Sequence, residues 1–161
     1  MPNSHPILKL FNQITQWVII CLLISCITGS VTAFFLHSLD WVTTFREKHF
    51  WIIYSLPFIG FLIGFIYHQY GDEANKGNNQ IIDAHHTTDQ SIPFKMAPLV
   101  YIGTILTHLA GGSAGREGTA VQMGGAIAAP FAQWFKLNDS EKKTIIIMGV
   151  SAGFAAVFGT P

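Results

Sequence analysis

Of the 161 residues, half are apolar and only 11% are Asp, Glu, Lys or Arg, where a soluble domain usually carries about 25% charged residues. Nine basic and nine acidic side chains leave a formal net charge of zero, which removes the basic footprint expected of a nucleic-acid binder. Cys21 and Cys26 share one apolar run, with neither zinc-ligand spacing nor a disulfide framework, and read as small core or lipid-facing residues.

Residues 1–16 are a polar start, expected to form a separate segment with a short interfacial helix around Ile7, Leu8, Phe11 and Ile14. From Trp17 to Leu36 there is no charged side chain, which suits the roughly 20 residues needed for a helix to cross the hydrocarbon. The stretch is long for a signal peptide and Val31-Thr32-Ala33 is a weak cleavage site, so a retained membrane helix is expected, reaching about Leu39. The segment "DWVTTFREKHF", with Asp40, Arg46, Glu47 and Lys48, reads as an aqueous loop. A second span is expected from about Phe50 to Tyr70, where Gly60 and Gly64 form a GxxxG pair suited to close helix packing. Trp17, Trp41, Trp51 and Trp134 edge the apolar stretches, as interfacial rings do, while the thin spread of Lys and Arg leaves orientation open.

Residues 71–95 are the most polar part of the chain, with a short helix expected from Asn78; Asn suits a helix start because its side chain accepts from orphan amides. His85 and His86 are adjacent and so do not share a helix face, which argues against a metal site. From Met96 to Phe135 the only charged side chains are Arg116 and Glu117, within "GGSAGREG". This apolar run is long enough for two helices joined at the glycines, either by an interfacial loop or by a re-entrant break inside the protein. After the polar joint "KLNDSEKK" a last apolar run, Thr144 to Pro161, ends without a polar tail, and the expectation is a truncated chain.

The charged pair is the informative feature. A charge at the bilayer centre costs roughly 3 kcal/mol on insertion scales and is kept mainly where it pairs or lines a cavity. Non-helical backbone at that depth survives only if buried in protein or facing water. A helix beginning near Glu117 would leave its first amides without intrahelical partners, and its dipole would favour an anion there. Glu117 would then be a built-in occupant, able to compete with a solute anion and to carry a proton when displaced. A phosphate-binding P-loop is excluded, because no Lys-Ser/Thr follows the glycines.

"GREGTAVQMGG", preceded by "GGSAG", resembles the Gly-Lys/Arg-Glu-Gly-Pro segment of the CLC family of chloride channels and anion/proton antiporters. In that family the segment opens a helix whose amino end faces the anion pathway, and its Glu gates the path and exchanges protons. The resemblance implies that role for Glu117, framed by Gly115, Arg116 and Gly118. The family's upstream Gly-Ser-Gly-Ile-Pro motif is matched by "GNNQI" from Gly77, with Asn78 at the position of the anion-holding Ser. "VSAGFAAVFGTP" resembles a later small-residue helix of the family. Thr119 stands where Pro is usual, and with Asn78 this resembles the fluoride-exporting branch. An Asn amide also offers two donors against one from a hydroxyl, which suits a small, strongly hydrated anion.

The implied fold is an all-α integral membrane protein, the amino-terminal half of a CLC-type inverted-repeat transporter with tilted, broken and re-entrant helices. Residues 17–161 would be a partial transmembrane domain, cut before the second half. The implied anion-binding set is Gly77, Asn78, Gly115, Arg116, Gly118 and Thr119. The implied activity is fluoride/proton antiport, or alternatively a chloride channel or chloride/proton antiporter. The implied partners are a halide anion, protons and the lipid bilayer, in a multi-pass cell-membrane protein that is homodimeric at full length. No enzymatic activity, cofactor or metal is implied. From other classes, a non-transporting membrane fragment that packs with partner helices stands as an alternative. His108 reads as a packed, hydrogen-bonded histidine, with a proton relay as the alternative, and Met123 as core; Gln122 could face the pathway but has no assigned place.

Overall fold

A computed structural model describes residues 6–86 and 92–160. Six α-helices make up most of the described residues: α1 Pro6–Lys48, α2 Leu56–Tyr70, α3 Asn78–His86, α4 Met96–Leu109, α5 Arg116–Trp134 and α6 Asp139–Phe158. Two 3-10 turns, Phe50–Ser55 and Asp72–Lys76, lead into α2 and α3.

Helix α1 is one continuous element of 43 residues, about 65 Å at 1.5 Å per residue. It runs through position 16, where a boundary was expected, and through Asp40 to Lys48 of "DWVTTFREKHF", which are helix rather than loop. Charge alone does not stop a helix. Between Ser30 and Lys48 there is neither Gly nor Pro to break it, and Arg46 and Lys48 in the last turn complement the carboxyl-end dipole. The second apolar run follows its expected bounds but starts as a 3-10 turn; Pro57, in the first turn of α2, marks where α-helix begins.

The core sits where α1 crosses the antiparallel pair α5 and α6. A Cβ on Gly124 would strike the Gly149 carbonyl, one on Gly149 the Gly124 carbonyl, and one on Gly153 the Ala120 carbonyl. Only glycine allows these backbones to meet. Thr28 of α1 fills the seam, its methyl 3.3 Å from the Cβ position of Gly124. Around this crossing Ile20, Ile24, Phe35, Met96, Met123, Ile145 and Ile146 are buried. Close packing therefore falls on α5 and α6 and not on the expected pair: Gly60 and Gly64 have nothing within 4 Å. Helix α2 instead presents Phe58, Phe61 and Phe65 outward, an apolar face of the kind a bilayer covers.

Two stretches, Leu10–Lys48 and Phe50–Tyr70, are long and apolar enough to cross a membrane. Helix α4, with 14 residues, measures about 21 Å, short of the roughly 30 Å hydrocarbon. Its link to α5 is tucked in: Ala110 is fully buried, and the Cβ position of Gly111 lies 3.5 Å from Ile53 and 3.6 Å from the Arg46 stem. Gly111 has a φ of 87°, and a Cβ on Gly112 would come 2.8 Å from the Thr107 methyl, so both glycines of the joint are required.

Candidate functional site

Two helix starts are brought together. Helix α3 begins at Asn78, directly after Gly77, whose φ of 57° and ψ of −132° suit only glycine. Helix α5 begins at Arg116 after Gly115, which is extended (φ −71°, ψ 114°) and gives no side-chain cap. The Thr119 amide bonds the Gly115 carbonyl at 3.2 Å. The amides of Arg116, Glu117 and Gly118 precede it and have no intrahelical carbonyl to reach. Asn78 lies against this uncapped turn, because a Cβ on Gly118 would stand 3.3 Å from Asn78 Nδ2. One turn further along α5, Gln122 Nε2 donates to Asn78 Oδ1 at 2.9 Å.

Arg116 and Glu117 lie on the open side of the same turn. Their side chains approach at 3.7 Å (Arg116 Nε to Glu117 Oε1) and are 61% and 44% exposed. A screened pair of that kind is worth little stability, so the Glu117 carboxylate is loosely held. With Gly115, both line an open cavity of about 620 Å³ whose other walls include Leu36 and Asp40 of α1, His108 of α4 and Ser113. His108 is half-buried, and its Nδ1 lies 2.9 Å from the Thr104 carbonyl. A carbonyl only accepts, so Nδ1 carries the proton, and in the neutral ring Nε2 is the acceptor.

Thr119 is buried in the contact between α4 and α5. Its hydroxyl lies 3.0 Å from the Gly115 carbonyl and 2.7 Å from Thr104 Oγ1. A hydroxyl has one proton to give; with that of Thr119 on the carbonyl, Thr104 donates to Thr119. The pair braces the residue that precedes α5. A Pro at this position would make neither the amide nor the hydroxyl bond to Gly115.

Of the residues expected at an anion site, Gly77, Asn78 and Gly118 thus meet, while Gly115, Arg116 and Glu117 border the neighbouring cavity. The hydroxyl of Thr119 is committed to its own hydrogen bonds. Gln122 had no place from pattern alone. The signal that could have found it is its spacing: four residues past Gly118 puts both on one helix face. The side chains of His85 and His86, weighed as a metal pair, lie outside the described residues.

A family model for voltage-gated chloride channels matches residues 59–161. The chain belongs to that family, the CLC family, and its all-α fold is a portion of the CLC transporter fold. A chloride/fluoride channel protein of Pseudomonas syringae pv. tomato is 47% identical over 154 residues, 96% of this chain and 34% of the relative. An H+/Cl− exchange transporter of Cronobacter sakazakii is 27% identical over 160 residues, 87% of this chain and 34% of that one. Among solved structures, the crystal structure of a CLC-type fluoride/proton antiporter matches with a TM-score of 0.87 and 39% identity, over 94% of this chain and 38% of the other. The chain therefore spans between 34% and 38% of the length of these relatives.

Proposed function

We propose that these residues are the amino-terminal part of a fluoride/proton antiporter, a multi-pass protein of the cell membrane that works as a homodimer at full length. The observation that carries this reading is the meeting of Asn78, at the start of α3, with Gly118, in the uncapped first turn of α5. Bare amides, two helix dipoles and a carboxamide favour a small anion at one point. Glu117, one residue away and loosely paired, is the gate. Deprotonated, its carboxylate competes for the amides; displaced by the anion into the adjoining cavity, it takes up a proton. Gly77, Gly115 and Gly118 keep the backbone approachable, and Arg116 adds positive charge at the mouth. Thr119 holds the turn in shape.

Fluoride is supported over chloride by two likenesses: the 47% identical chloride/fluoride channel protein and the 39% identical fluoride/proton antiporter structure. Chloride/proton exchange is the second reading, supported by the likeness to the H+/Cl− exchange transporter.

The test uses a chimera in which residues 1–161 replace the matching part of the Pseudomonas syringae relative, reconstituted in liposomes. Fluoride efflux faster than chloride efflux, with measurable proton uptake, is expected. Glu117→Gln, which removes the exchangeable proton, is expected to abolish the proton flux. Unchanged coupling in that variant overturns the gate assignment, and equal or faster chloride efflux overturns the choice of fluoride.

A further inference from the structure

We infer that Gln122 is a positioning residue for the anion: it sets which way the Asn78 amide faces, and so whether the site offers donors or an acceptor. The inference rests on the proposed anion role of Asn78 but concerns a residue that this role does not itself assign.

An Asn side chain has two faces of opposite polarity, an acceptor oxygen and a donor amide. Only one suits an anion. If the oxygen turned toward the α5 amides, it would satisfy them as a cap and repel the solute. Here Asn78 Oδ1 is held by Gln122 Nε2 at 2.9 Å. The Cβ position of Gly118 lies 3.3 Å from Nδ2 and 3.9 Å from Oδ1. The nitrogen is therefore the atom nearer the uncapped turn of α5. Its N–H groups and the helix amides then present donors together.

The geometry explains why a long amide stands at position 122. Gln122 is one turn beyond Gly118 on the same face of α5, and it is half-buried while Asn78 is exposed. Gly77 leaves space beside it: the Cβ position of Gly77 is 3.9 Å from Gln122 Nε2. Gln122 thus reaches past the start of α3 and grips Asn78 from behind. A residue that only accepts would demand the opposite orientation, pulling Nδ2 toward itself and turning Oδ1 to the anion. A residue with no polar group would leave the amide free to flip.

The experiment is a double-mutant cycle in the same chimera, reading fluoride and chloride dissociation constants by calorimetry with sodium fluoride and sodium chloride as titrants. Gln122→Met keeps the length and removes the donor. Fluoride binding is expected to weaken roughly five-fold, the worth of one hydrogen bond. In the Asn78→Ala background the same change is expected to have no further effect, because Gln122 acts through Asn78. Gln122→Glu, which accepts only, is expected to weaken fluoride binding more than Gln122→Met does, and again only while Asn78 is present. Additive losses from Asn78→Ala and Gln122→Met overturn the inference and leave the anion role of Asn78 standing. An Asn78→Ala variant that binds fluoride as tightly as the parent overturns both, through the reading beneath.

Discussion

Helices α5 and α6 start in opposite ways, one after the other in the same chain. Helix α6 is closed by a complete capping box: Glu141 N donates to Asn138 Oδ1 at 2.9 Å, and Asn138 N donates to Glu141 Oε2 at 3.0 Å. Helix α5 also has a Glu in its first turn, but Gly115 before it supplies no cap. The register explains the rest. Glu141 is the third residue after its cap, where a side chain can reach back to the cap amide. Glu117 is the second after Gly115, and no such bond closes. One helix ties its third amide and its cap amide to side chains of its own first turn, while the other has no side-chain cap. The same residue type is bonded to its own helix at one start and only loosely paired at the other.

The largest effect expected from breaking this contrast is on Glu117. Glu117→Gln in the chimera should reduce proton-coupled fluoride flux to background, while Glu141→Gln should leave coupling intact and only lower stability. Simultaneous recording of fluoride and pH in a liposome suspension checks both. Loss of coupling from the Glu141 change would erase the distinction.

Next in size is the seam that holds the two helices together. Gly124→Val places a branched side chain where even a Cβ strikes the Gly149 carbonyl. Destabilisation of about 3 kcal/mol is expected, at the upper end for overpacking, read as a lowered midpoint in thermal unfolding of the detergent-solubilised protein. Gly60→Val, with nothing within 4 Å of either Gly60 or Gly64, should shift the midpoint little. A third change gives α5 the cap it lacks. Gly115 is already extended, with its Cβ position 3.8 Å from Glu117 Oε2, so Gly115→Ser fits. The new hydroxyl can accept from the amide of Glu117 or Gly118 and so compete with the anion. Fluoride affinity should fall roughly five-fold, by about one hydrogen bond, with stability equal or slightly raised.

Much of the site was readable before the fold because it is written locally. Glycines around a charged pair in an apolar run mark an approachable helix start whatever the tertiary arrangement, and Gly115 to Gly118 stand there. What pattern could not supply was depth and partner. The polar end of α1 read as a loop because charges suggest water, yet Asp40 to Lys48 are compatible with helix and simply carry α1 onward. The pair Gly60 and Gly64 has the same spacing as Gly149 and Gly153; only the path of α5 decides which is a contact. Gln122 was noticed but could not be placed, because its meaning depends on α3 lying across α5, a meeting of residues 44 apart in sequence.

The smallest effect expected is at the closed start. Asn138→Ala removes the side-chain acceptor for the Glu141 amide and leaves Glu141 to bond backward alone. The cost should be about 1 kcal/mol, the usual worth of such a cap, with fluoride affinity and coupling unchanged. The two halves of this expectation matter together. Helix α6 packs on α5 through Gly149 and Gly153, so a frayed α6 start could loosen the seam and reach the site indirectly. The seam, however, is about three to four turns away from Asn138, and fraying is confined to the first turn of a helix held by buried Ile145 and Ile146. A stability loss without a binding change therefore means that the α5 start is organised by its own neighbours, Thr104, Thr119 and Gln122. A matching fall in fluoride affinity would make the capped end of α6 part of what holds the uncapped end of α5 in place.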